Sequence, residues 1–130
     1  MLRRILFIIA LACVLFSTTG CGSSKIDVTS ADNGKQLNVN VGEQIVVALN
    51  GNPTTGYTWE AKDLDTSMIQ QVGSTGFKSN HPGLVGSGGI QTLTFKTLKT
   101  GTTNLTLVYH RSWETNVDPL HTFAITLIIK

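Results

Sequence analysis

The chain has 130 residues, 41% hydrophobic and 14% charged, a balance that fits one folded domain and excludes an acidic tail or a disordered linker. Ten Lys and Arg stand against eight Asp and Glu, a formal charge of +2. Arg3 and Arg4 belong to an N-terminal segment treated apart below; without them the charges balance, which excludes a basic nucleic-acid-binding stripe.

Met1–Arg4 supplies a short positive stretch, and the apolar run Ile5–Phe16 follows it. The run is short for a bilayer span and suits the core of a signal peptide. Ser17-Thr18-Thr19-Gly20 then leads into Cys21. Small residues before a Cys resemble a bacterial lipoprotein signal. That resemblance implies removal of residues 1–20 and a lipid on Cys21, the membrane anchor of the mature chain. Thr18 departs from the Leu preferred there. Ordinary cleavage near Gly20 and an uncleaved anchor are the alternatives. Gly22, in place of Asp, implies sorting to the outer membrane or cell surface. The other cysteine, Cys13, lies inside the apolar run, so residues 21–130 can form no internal disulfide.

Residues 21–34 are rich in Gly, Ser, Asp and Asn and read as a tether with a short strand at 25–29. From 35 to 130 the period is two. Leu37, Val39 and Val41 alternate with polar residues, as do Ile45, Val47 and Leu49. Tyr57, Trp59 and Ala61 continue the pattern, with Trp59 placed in the core. Residues 68–72 are a weaker strand. Leu93 and Phe95, then Leu105, Leu107 and Tyr109, then Phe123, Ile125, Leu127 and Ile129 complete it. One buried and one wet face mark antiparallel sheets. About seven such strands in about 100 residues predict an all-β fold, an immunoglobulin-like antiparallel β-sandwich.

The breaks between these strands alternate long and short. The long ones are 50–56, 80–89 and 111–119; the short ones are 63–66 and 99–101. Alternate connections of an antiparallel sandwich fall at one end, so the three long loops are expected together there. Ordering a long loop costs entropy, and adjacent loops on a rigid scaffold make a binding surface.

The first loop reads Asn52-Pro53-Thr54-Thr55-Gly56-Tyr57. Pro53 fixes its own φ and biases Asn52 toward extended geometry, and Gly56 can take a positive φ where the chain turns back. The Thr54 and Thr55 hydroxyls can bond the loop's own backbone or a partner. The second loop ends Gly86-Ser87-Gly88-Gly89, permitting close approach of another backbone or a flexible hairpin tip. No helix follows to make it a phosphate cradle. The third begins Arg111-Ser112-Trp113-Glu114. Arg111 and Trp113 are residue types favoured as interface anchors; alternatively Trp113 caps the sandwich with Arg111 stacked on it.

Together, NPTTGY at 52–57, GSGG at 86–89 and RSW at 111–113 resemble, in order and spacing, the motifs of the chagasin family of cysteine-protease inhibitors. The resemblance covers roughly residues 35–130. Ser112 departs from the family's Pro, which loosens the third loop. The resemblance implies a reversible, tight-binding monomeric inhibitor of papain-like cysteine proteases. Asn52, Pro53, Thr54, Thr55, Gly56 and Tyr57 would lie over the catalytic Cys-His pair. Leu84, Val85, Gly86, Ser87, Gly88 and Gly89 would flank them on one side, and Arg111 and Trp113 on the other. No cofactor or metal is implied.

Enzyme readings find little support. His81, His110 and His121 lack zinc-ligand spacing, no GxSxG turn is present, and Asp63 and Asp65 read as turn formers. The alternative from another class is a non-inhibitory immunoglobulin-like module for surface adhesion or carbohydrate binding.

Overall fold

The computed structural model describes residues 22–130; the signal peptide expected at 1–20 and the lipidation expected at Cys21 lie outside the described residues. Nine strands follow one another: β1 Lys25–Thr29, β2 Gln36–Val39, β3 Gln44–Gly51, β4 Thr58–Lys62, β5 Ile69–Gln71, β6 Gly76–Ser79, β7 Gly89–Thr97, β8 Gly101–His110 and β9 His121–Ile129. Helical structure among the described residues is limited to two 3-10 turns, Ser30–Asp32 and Pro53–Thr55.

The strands form two sheets. One runs β1-β3-β7-β5, with β6 also on β7, and the other runs β2-β9-β8-β4. Their inner faces meet in a core in which Ile45, Val47, Leu93 and Phe95 of the first sheet pack against Leu105, Leu107, Ile125 and Leu127 of the second. All eight occupy alternate positions of their strands, so the period of two in the sequence is the period of burial.

The immunoglobulin-like sandwich agrees with expectation; three details do not. First, the weak strand expected at 68–72 is present as β5, and a further strand, β6, follows it. Both lie antiparallel to β7, β5 along Phe95–Thr97 and β6 along Gly89–Thr92, as two halves of one broken strand. Second, the short strand expected at 25–29 is present as β1, but it is part of the sandwich and not of a tether. β1 pairs along its whole length with β3, and the Val28 side chain is in the core. The folded domain therefore begins ten residues before position 35. Third, the β1–β3 and β2–β9 pairs are parallel. The chain changes sheet between β1, β2 and β3, so β1 and β3 meet running the same way, and β2 likewise runs parallel to the last strand, β9.

These registers bring the long connections to one end. Gly51 at the end of β3 pairs with Gly89 at the start of β7, and Ser79 at the end of β6 pairs with the same Gly89. Across the sandwich, Thr58 at the start of β4 pairs with His110 at the end of β8, and Tyr109 pairs with His121 at the start of β9.

Candidate functional site: three loops at one end of the sandwich

The first loop is built on its own sequence. Asn52 is extended, at φ −140° and ψ 90°, and its Oδ1 accepts the Thr54 backbone N–H at 3.2 Å as the cap of the 3-10 turn. Pro53 occupies the first position of that turn, where a missing N–H costs nothing. The Thr54 hydroxyl donates to Asn52 Oδ1, and the Thr55 hydroxyl to the Asn52 carbonyl at 2.6 Å. Both hydroxyl protons are thus engaged inside the loop, Thr54 with the Asn52 side chain and Thr55 with the Asn52 backbone. Gly56 closes the turn in the left-handed region at φ 83°, a conformation that costs other residues roughly 1–2 kcal/mol.

The second and third loops are tied to the first. Asn52 Nδ2 donates to the Gly86 carbonyl at 3.0 Å. Arg111 Nε donates to the Thr55 carbonyl at 3.1 Å, and its guanidinium lies 4.5 Å from the centre of the Tyr57 ring. Arg111 thus stacks on Tyr57, not on Trp113. Trp113 sits over Gly56: a Cβ there would overlap Trp113 Cη2 and come within 3.0 Å of Cζ2. In the GSGG segment, Gly89 is a packing requirement of the sheet, since a Cβ on it would overlap the Lys78 carbonyl oxygen of β6. Ser87 Oγ lies 3.0 Å from Ser79 Oγ, holding the base of the second loop.

The surface these loops present is apolar and little charged. Trp113 is 67% exposed and Leu84 66%, with Val85 beside Leu84 also exposed. Arg111 is half-buried, and its charge meets the Glu114 carboxylate at 3.1 Å. The cavity of about 510 Å³ at this end lies behind the first loop, between the sheets, and is lined by Asn52, Trp59, Tyr109 and His121 but by none of residues 53–57 or 111–114. Residues 53–57 and 111–113 therefore stand clear of this cavity, while the motif residues Asn52, Gly88 and Gly89 form part of its wall.

A model of the chagasin family of peptidase inhibitors, I42, matches residues 38–127. The chain belongs to that family. It is similar to Amoebiasin-2 of Entamoeba histolytica, 32% identical over 105 residues, covering 79% of this chain and 84% of that protein. Chagasin of Trypanosoma cruzi is 33% identical over 90 residues, 66% of this chain and 81% of its own. The crystal structure of the Entamoeba histolytica cysteine protease inhibitor EhICP2 superposes with a TM-score of 0.72 at 29% identity, over 82% of this chain and 96% of that one.

In this chagasin-family chain the loops rest on a layer that motif reading does not reach. Tyr109 Oη accepts the Asn52 backbone N–H at 2.8 Å, and Trp59 Nε1 donates to the Asn50 carbonyl at 2.9 Å. Trp59 and Tyr109 are both buried, with ring centres 5.1 Å apart. Gln91 is buried too; its Nε2 donates to Thr58 Oγ1 at 3.0 Å and its Oε1 accepts the Trp59 N–H, bridging the sheets beneath the loops. Gln91 carries a signal in the sequence: it stands in the inward phase of β7, ahead of Leu93 and Phe95, where an apolar residue is expected.

The other singled-out residues lie apart from these loops or serve them structurally. His110 is half-buried on β8, with Nε2 2.8 Å from Glu60 Oε2. Asp65 caps a turn by accepting the Ser67 N–H and hydroxyl, and those bonds hold its pKa below the ordinary value; Asp63 turns the chain at φ 51°. Asp32 and Glu43 are likewise held low, Asp32 chiefly by the Thr29 N–H and Glu43 chiefly by the Ser24 hydroxyl.

Proposed function

We propose that the chain inhibits papain-like cysteine proteases by inserting these three loops into the active-site cleft, reversibly and as a monomer. The observation that carries the reading is the cross-tying of the loops: Asn52 to Gly86, Arg111 to Thr55 and Trp113 on Gly56. Loops fixed before contact lose little entropy on binding, so a modest surface can bind tightly. Leu84, Val85 and Trp113 supply exposed apolar anchors on either side of the central turn. The turn at Pro53–Thr55 is a 3-10 helix, not the extended backbone that a protease attacks, so it occupies the catalytic centre without aligning a carbonyl for the nucleophile.

The test is a titration of papain with the purified protein. Stoichiometric loss of activity, regained on dilution, is the expected result. Papain left fully active at excess protein rejects the reading and favours a surface adhesion or carbohydrate-binding module.

The same proposal places the inhibitor at the bacterial cell envelope, held by a lipid on Cys21 after removal of residues 1–20. What supports it is the sequence: the apolar run 5–16 followed by small residues and Cys21. Cys21→Ser then abolishes labelling by a fatty-acid probe and leaves an unprocessed precursor or a released protein. Unchanged labelling of that variant removes the anchor from the proposal.

A further inference from the structure

We propose that Glu114 is a positioning residue for the inhibitory surface, acting through Arg111 to hold the third loop against the first. The inference rests on the inhibitory reading above, and one of its measurements does not depend on that reading.

Residues 111–114 form a turn in which the Glu114 N–H donates to the Arg111 carbonyl at 3.1 Å. The turn brings the Glu114 carboxylate back onto the side chain that opens it, with Arg111 Nη1 3.1 Å from Glu114 Oε1. The rest of the guanidinium faces the first loop: Nε donates to the Thr55 carbonyl, and the group lies over the Tyr57 ring. A guanidinium has a rigid fork of donors, so fixing one edge on a carboxylate fixes the direction of the other. Glu114 therefore sets the angle at which Arg111 meets Thr55. Thr55 and Tyr57 flank Gly56, and Gly56 is the seat of Trp113, which lies between Arg111 and Glu114 in sequence. Arg111, braced by Glu114, holds the first loop from one end of the turn while Trp113 rests on it. Both charged side chains retain partial exposure, so each contributes modestly, at the scale of a surface pair.

The first measurement uses the free protein, full-length and in detergent. The indole over Gly56 displaces the Gly56 Hα resonances by its ring current, and Trp113→Ala marks their undisplaced position. Glu114→Gln is expected to move them toward that position; resonances unmoved from wild type overturn the proposal. The second is a cycle of inhibition constants against papain for wild type, Glu114→Gln, Arg111→Ala and the double variant. Glu114→Gln alone is expected to weaken inhibition about two- to five-fold. In the Arg111→Ala background it is expected to add nothing, since Glu114 acts through Arg111. An undiminished effect there means that Glu114 meets the protease directly and overturns the proposal. Wild-type protein that leaves papain active overturns the inhibitory reading and the role in inhibition with it, while the Gly56 resonances still decide whether Glu114 positions the loop.

Discussion

The indole of Trp113 rests on the α-carbon of Gly56, so the residue that lets the first loop turn is also the floor on which the third loop sits. Gly56 meets two demands at once: a φ of 83°, and no side chain beneath the ring. Gly56→Ala violates both. It is expected to cost ~1–2 kcal/mol in backbone strain and to displace Trp113, since the atom it meets is part of a rigid ring. Thermal melting and papain inhibition measured side by side check this. A Gly56→Ala protein that inhibits like wild type means the loops do not act as one surface.

Trp113→Ala separates binding from folding. The side chain is 67% exposed, so its removal leaves little cavity and the melting temperature is expected to stay near that of wild type. Inhibition is expected to weaken by ~2 kcal/mol, on the order of thirty-fold, if the indole is a buried anchor of the complex. An unchanged inhibition constant assigns Trp113 to capping the sandwich.

Trp59→Ala is the converse case. Trp59 is 6% exposed, packs on Tyr109 and donates to the Asn50 carbonyl. Its loss is expected to cost ~3–5 kcal/mol through the cavity left and the carbonyl orphaned. A calorimetric or denaturant melt reads the effect directly. A variant that melts like wild type would move Trp59 out of the core.

The acid side of the stability curve has a local contributor. Glu43 accepts the Ser24 hydroxyl and the backbone N–H and side-chain amide of Asn40, which hold its pKa below the ordinary value. A carboxylate with a lowered folded pKa stabilises above its unfolded pKa and loses that contribution as pH falls through the folded one. Ser24→Ala removes the leading cause. The melting temperatures of wild type and Ser24→Ala should therefore differ above the ordinary carboxylate range and converge as the pH falls through the lowered pKa of Glu43. A gap that persists in acid assigns the Ser24 effect to something other than this ionisation.

Much of the sandwich is legible because burial is written at a period of two: Ile45, Val47, Leu93, Phe95, Leu105, Leu107, Ile125 and Leu127 point inward as their spacing requires. β6 escapes that reading because Gly76-Phe77-Lys78-Ser79 is an edge segment whose pairing with β7 is a backbone property, and its Phe77 side chain is exposed. β1 is underread because its one fully buried residue, Val28, stands among polar neighbours; the partner that makes it a strand is β3, many residues away. The placement of the three loops follows from strand order, and the positive φ of Gly56 from its residue type. The ties between loops do not, because Arg111 to Thr55 and Asn52 to Gly86 are contacts between segments that periodicity treats separately. Arg111 illustrates the limit. Its residue type suggests an anchor on a partner, whereas its neighbours in space, Thr55, Tyr57 and Glu114, engage it within the molecule.

Ser112 stands where the motif resemblance implies Pro, and the geometry of the turn bears on that exchange. The bond from the Glu114 N–H to the Arg111 carbonyl makes 111–114 a four-residue turn with Ser112 in its second position. That position favours proline in the common turn types, because φ near −65° is already required there. Among the backbone hydrogen bonds of the described turns and loops, the Ser112 N–H donates none, so proline removes no bond. Arg111 follows the last residue of β8, and the extended geometry proline prefers in its predecessor suits that place. Ser112→Pro is therefore expected to restrict the third loop chiefly before binding. The expected gain is up to ~1 kcal/mol, about five-fold in the inhibition constant against papain, with a small rise in melting temperature. The gain should be largest in Glu114→Gln, where the Arg111–Glu114 pair no longer stiffens the turn, since the two devices restrain the same residues. Weaker inhibition by Ser112→Pro, with the fold intact, would show that the turn has a backbone shape proline cannot share.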